Sequence, residues 1–173
     1  EEGAGIQIGP NGTRILKEIG AFDALTVTAA KPDVLQVRDA VNAHEIARLP
    51  LGAWMEERHG APYLTAHRQD LHAALLEGAR ASPLVALENK AAVESAGQAA
   101  QGVTLKLSDG RVLGGSVLVG ADGLWSALRS GAFADAPPKP AGKSAYRTVI
   151  PVSRLPEALA VNDVHIWLTE GAH

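Results

Sequence analysis

The chain has 173 residues, 46% hydrophobic and 20% charged, with no cysteine, an ordinary globular composition for one domain or a domain and a half. A net charge of -3 lacks the basic excess that phosphate neutralisation needs, which argues against nucleic acid as a partner. Without cysteine there are no disulfides, thiolate metal sites, iron–sulfur clusters or thiol nucleophiles, and no apolar run reaches the roughly 18 residues of a membrane span.

The first stretch, GAGIQIG, holds Gly3 and Gly5 at the spacing that opens a dinucleotide fingerprint. Ile8 stands where the third glycine belongs, Gly9 comes one residue late, and no strand pattern precedes Gly3. The stretch therefore reads as a loop and not as a pyrophosphate cradle. Pro10 suits a first helical position, and Gly12, Ile15, Leu16 and Ile19 fall on one apolar face of a helix that Gly20 stops. Val34 to Leu49 reads as a hairpin or two sheet strands, followed by a short helix around Met55 to His59. A second strong helix is predicted in HRQDLHAALLEGARASP, with Asp70 as its N-cap, a stripe of Leu71, Ala74, Leu75, Gly78 and Ala79, and Pro83 closing it.

A strand is expected at Leu84 to Leu87. AAVESA and GVTLKLSDGRVLGG then read as a meander turning at Asp109-Gly110. In VLVGADGLWSALRS, residues 117–130, a buried strand over Ser116 to Val119 runs into Gly120, Asp122 and Gly123, before a short helix over Leu124 to Arg129. DAPPKPAGKS is a loop or boundary, and AYRTVIPV and VHIWLT return to strand pattern. The mixture predicts an α/β nucleotide-binding layer carrying sheet insertions. The chain opens on Glu1 instead of Met and stops at WLTEGAH just after a strand pattern, and is expected to be a middle piece of a longer protein.

Two positions stand out chemically. Arg68, just before the capped helix, offers a fixed fork of donors to a phosphate or ribose; a surface ion pair is the plain alternative. Asp122 follows a strand at its C-terminal end, where ligands sit in open α/β sheets, between glycines that permit close backbone approach; capping the short helix would use the same carboxylate. Both alternatives stay open on the residues alone. The six histidines include no H-E-x-x-H pair, and His67 and His72 are five apart, so no metal site is expected. There is no G-x-S-x-G elbow either.

GAGIQIGPNGTRILKEIG, HRQDLHAALL and VLVGADGLWSALR, with AYRTVIP and HIWLTEGAH as weaker matches, resemble in order and spacing the group A flavin-dependent monooxygenases, the salicylate hydroxylase-like aromatic hydroxylases. The resemblance implies a partial FAD/NAD(P)-binding, Rossmann-like three-layer α/β domain with a mostly β substrate-domain insertion. Residues 1–30 and 61–140 would belong to the FAD-binding domain, and 31–60 and 141–173 to the substrate sheet. It also implies that NADH or NADPH reduces FAD and that O2 is used to hydroxylate a small phenolic or benzoate-like substrate. A flavin epoxidase on a non-aromatic substrate, or a non-catalytic nucleotide-binding domain, are the alternatives. Arg68 would approach the FAD diphosphate or ribityl chain, Asp122 and Gly123 would serve FAD and the nicotinamide, Gln7 would lie near the flavin end, and the Ala91 backbone would pass the adenine. Arg147 would touch substrate or flavin; His165 and Tyr146 are candidates for the base, with a core or surface role weighed against each. The family's N-terminal Gly-rich loop and later Gly-Asp motif have no counterpart here, so this stretch by itself is expected to be inactive. A homodimer, a cytoplasmic location, and neither nucleic acid nor membrane as partner complete the expectation.

Overall fold

A computed structural model describes residues 4–133, 138–142 and 144–171. Residues 1–3, 134–137, 143 and 172–173 lie outside the described residues, and with them part of the DAPPKPAGKS stretch and His173. In chain order the described elements are β1 (Gly5–Ile8), α1 (Pro10–Glu18), α2 (Phe22–Thr26), β2 (Val34–Asp39), β3 (Glu45–Pro50), α3 (Gly52–His59), β4 (Leu64–His67), α4 (Arg68–Ala81), β5 (Val93–Ala99), β6 (Gly102–Leu107), β7 (Val112–Gly115), α5 (Ala127–Phe133) and β8 (Val164–Leu168). The structure is mixed α/β and falls into two compact units. One takes in the chain up to Ala86 and from Tyr146 onward; the other is Leu87–Ala145.

In the first unit β1 and β4 pair antiparallel with Ile6 opposite Ala66 and Ile8 opposite Leu64. Alternation puts these side chains on one face, where they meet Leu16, Ala21, Leu25 and Ala74 from the helical layer, with Phe22 and Leu71 packed against them. Gly12 lets α1 settle on the strand: a Cβ there would come within 2.8 Å of Ile8 Cγ2. Thr13, fully buried, donates its hydroxyl to the Pro62 carbonyl at 2.8 Å. The second layer of this unit is a three-stranded sheet in the order β3-β2-β8. β2 and β3 form the expected hairpin, and β8 joins β2 in parallel with His165 beside Gln36 and Trp167 beside Arg38.

The second unit is the β5-β6-β7 meander followed by α5. Leu107 is buried under it. Gly102 turns β5 into β6 at φ +105°, and a Cβ there would lie 2.2 Å from the Gly115 carbonyl oxygen, so only glycine fits.

Several local expectations are corrected. The stretch before Pro10 is not a loop: Gly5–Ile8 is a strand, too short to show its alternation but held by β4. α1 buries Thr13 and Leu16, while Ile15 and Ile19 are exposed, because the face is set by where β1 and Pro62 lie. Asp70 is not the N-cap of α4; the helix starts three residues earlier than expected, with His67 as N-cap, and Asp70 sits in the first turn, where a carboxylate favours the positive end of the helix dipole. Leu84 to Leu87, Ser116 to Val119 and 145–150 form no strand. Val117 and Val119 are about four-fifths exposed; among the described residues no strand pairs with this run. The helix expected at Leu124 begins at Ala127.

Candidate functional site

In the first unit an open cleft of about 1290 Å³ lies along the edges of the two sheets, lined by Ala4, Gly5, His67 and Gln69 from the β1–β4 pair and the start of α4, by the irregular run Tyr146–Val149, and by His165 and Trp167 of β8. Among the described residues no acidic side chain lines it, whereas Arg147, His67 and His165 bring a guanidinium and two imidazoles to it. The resemblance implied that Arg147 touches substrate or flavin and offered Tyr146 and His165 as candidates for the base; His67, Gln69 and Trp167 were not named. Gly5 opposite His67 is what brings the β4 end to the cleft, and a four-residue strand leaves too little pattern to reveal that pairing.

Gln7 lies on β1 and Arg68 at the start of α4, directly after β4, and neither lines the cleft. Gln7 is exposed on β1 and its side-chain carbonyl accepts a hydrogen bond from the Tyr63 hydroxyl, whose pKa is raised by burial. Arg68 is the first residue of α4; its backbone N–H donates to the Ala4 carbonyl at 3.1 Å, and its side chain is exposed at a helix N-terminus that has no side-chain cap.

The other candidates belong to the second unit. Ala91 is half-buried just before β5, next to Lys90, whose φ of 59° lies in the left-handed region. Asp122 and Gly123, with Gly120, Ser126 and Arg129, line a cleft of about 1250 Å³ against β5 and β6. The Asp122 carboxylate is held below the usual carboxylate pKa, first by the Ser126 hydroxyl and then by backbone N–H groups at the start of α5; Leu128 N–H lies 3.3 Å from it. Ser126 is buried, and its oxygen accepts the Arg129 N–H at 2.9 Å as an ordinary helix cap does. Gly123 takes φ +79°, which a larger residue would resist. Asp122 thus has a capping role that the geometry displays, and its exposed oxygens leave room for a second partner.

Along its whole length the chain is similar to curated hydroxylases and monooxygenases of small aromatic acids. It is 38% identical over all 173 residues to 3-hydroxybenzoate 6-hydroxylase 1 of Aquipseudomonas alcaligenes and 38% identical over 173 residues to 3-amino-4-hydroxybenzoate 2-monooxygenase PtnB3 of Streptomyces platensis. To 6-hydroxynicotinate 3-monooxygenase of Pseudomonas fluorescens it is 33% identical over 172 residues, 99% of the chain. The chain spans only 44%, 43% and 44% of these three relatives. No family model matches it. Among solved structures it is similar to Klebsiella pneumoniae HpxO complexed with FAD and uric acid (TM-score 0.60, 28% identity) and to the tetrameric form of 2-methyl-3-hydroxypyridine-5-carboxylic acid oxygenase (TM-score 0.61, 28% identity). Each of these matches covers 75% of this chain and 32% of the other. Among the described residues no helix is long and apolar enough to cross a membrane, and no cluster of three potential metal ligands occurs.

Proposed function

We propose that the protein containing this chain is an NAD(P)H-dependent FAD monooxygenase that uses O2 to hydroxylate a small aromatic substrate carrying a hydroxyl and a carboxylate. The observation that supports this most is the unbroken match to three monooxygenases whose names share that pattern, hydroxybenzoate or hydroxynicotinate. Bound FAD would supply the electron transfer and oxygen activation that ordinary side chains cannot perform. The residues fit such a group. Arg68 offers an exposed guanidinium beside a helix start without a side-chain cap, suited to a diphosphate or ribityl oxygen. In the other unit, Asp122 presents a charged acceptor for sugar hydroxyls or the nicotinamide, beside the glycine backbone of Gly123. Gln7 would serve the flavin end, the Ala91 backbone the adenine, and Arg147 the substrate carboxylate through a bidentate pair.

The test is direct. The intact protein should carry a flavin spectrum and oxidise NADH or NADPH faster when a hydroxylated aromatic acid is added, with one oxygen gained in the product by mass spectrometry. Reduction stimulated only by non-aromatic alkenes would transfer the reading to an epoxidase; absence of flavin would leave a nucleotide-binding domain without this chemistry. The proposed homodimer is measured by sedimentation of the same sample, against the tetramer named for the pyridine-carboxylate oxygenase.

A further inference from the structure

His165 lines the first unit's cleft. β8 presents His165 and Trp167 to one face of the sheet, with Asp163 just before the strand, and the parallel register with β2 sets Gln36 beside His165 and Arg38 beside Trp167. The polar groups of that face are committed to one another. Gln36 Nε2 donates to Asp163 Oδ2 at 2.7 Å, and Gln36 Oε1 accepts from Arg38 Nη2 at 2.7 Å and Nε at 3.1 Å. The Arg38 guanidinium also lies 5.9 Å from the Trp167 ring centre and 3.7 Å from Glu45. His165 sits within this chain of bonds, yet both of its ring nitrogens are buried and have no hydrogen-bond partner among the described residues. A buried polar atom left so loses its hydration without compensation and calls for a partner.

The cleft indicates what that partner is. Among the described residues its lining has no carboxylate that would repel an anion, and Arg147 stands in it as a permanent cation. An imidazole offers an N–H donor in either tautomer, and a carboxylate offers only acceptors. The run Tyr146–Val149 that carries Arg147 has no helix or strand pairing, so it can shift to admit a ligand without breaking a ladder. We propose that His165 is a specificity-determining residue: its ring hydrogen-bonds the carboxylate of the aromatic substrate, with Arg147 as the counter-charge. The inference rests on the aromatic-hydroxylase reading and names which substituent the site selects.

The experiment uses the intact flavoprotein and two probes, 3-hydroxybenzoate and phenol, which differ only in the carboxylate. Dissociation constants are read from the flavin absorbance change. Loss of a hydrogen bond to a charged group should weaken 3-hydroxybenzoate binding roughly tenfold or more in His165→Phe and change phenol binding less than about twofold, with His165→Gln restoring most of the loss. Equal effects on both probes, or none, overturn the proposal. A second readout does not depend on the Phe variant folding. In the parent labelled with ¹⁵N-histidine, 3-hydroxybenzoate should shift a ring resonance that phenol leaves in place and that His165→Gln lacks; no such resonance overturns the proposal. A protein that holds no flavin refutes the hydroxylase reading and the inference with it, whereas a flavoprotein that binds both probes with no part for His165 refutes the inference alone.

Discussion

Asp122 carries two roles that one pair of substitutions separates. Its carboxylate accepts from the Ser126 hydroxyl and from backbone N–H groups at the start of α5, and those bonds lower its pKa. Asn caps a helix about as well as Asp, so Asp122→Asn should leave the thermal midpoint near the parent at neutral pH while Asp122→Ala lowers it. A depressed pKa means the capping contribution is fully present above the unfolded carboxylate value of about 4 and is lost as pH falls through the lower folded value. Any parent advantage over Asp122→Asn should therefore begin to shrink in melts below about pH 4 and vanish once the pH is below the lower folded value. In the intact protein the same Asn change removes a charge from the proposed cofactor site, and stopped-flow flavin reduction by NAD(P)H should slow or FAD retention weaken. Normal reduction and FAD content would leave Asp122 with its cap alone. Arg68 is simpler, since its side chain has no structural duty that the fold displays. Arg68→Ala should stay folded and bind FAD roughly tenfold more weakly, the loss of a charge-assisted contact of about 1.5–3 kcal/mol; equal affinity by FAD titration would make it an ordinary surface arginine.

At the scale of elements, the sequence specifies strong local signals and misses what depends on distant partners. Pro10 and Gly20 bound α1, and Asp109-Gly110 turns the meander, because proline, glycine and their backbone angles act within a few residues. Which face of α1 is buried was not legible. Periodicity admits a stripe through Ile15 and Ile19 as readily as one through Thr13 and Leu16, and the choice belongs to β1 and Pro62, which the helix meets in space. The strand β1 was illegible for the same reason, and the runs at Leu84 and Ser116 show the converse, apolar residues that read as buried strands but find no partner. Of the site, Arg147 and the Asp122 loop were visible as motifs, while His67 and Trp167 depend on strand register. The corrected face of α1 is testable. Leu16→Ala, 6% exposed in the main cluster, should cost about 2–5 kcal/mol of unfolding free energy. Ile15→Ala, 57% exposed, should stay within about 0.5 kcal/mol in the same urea titration. Equal losses would return the core to the Ile15 side.

At the scale of the whole molecule, the two compact units have different character. The first has a continuous apolar cluster from two strands and three helices. The second has few buried side chains: Leu107 is covered, but Val117, Val119, Leu124 and Trp125 stand between 61% and 81% exposed. Monomeric proteins rarely leave that much clustered apolar surface in water unless something binds it. The chain spans less than half of each of the three relatives named above, and the proposed FAD contacts it supplies are a few exposed groups. The 173-residue chain by itself should therefore fold its first unit, bind a hydrophobic dye such as ANS through the exposed run, and retain no stoichiometric FAD. The measurement is the visible flavin spectrum after desalting from excess FAD, alongside ANS fluorescence and NAD(P)H oxidation. A dye signal that falls in Val117→Ser and Val119→Ser variants would locate the exposed run as its source. Stoichiometric FAD on the chain alone would show that Arg68, Asp122 and their neighbours suffice to hold the cofactor.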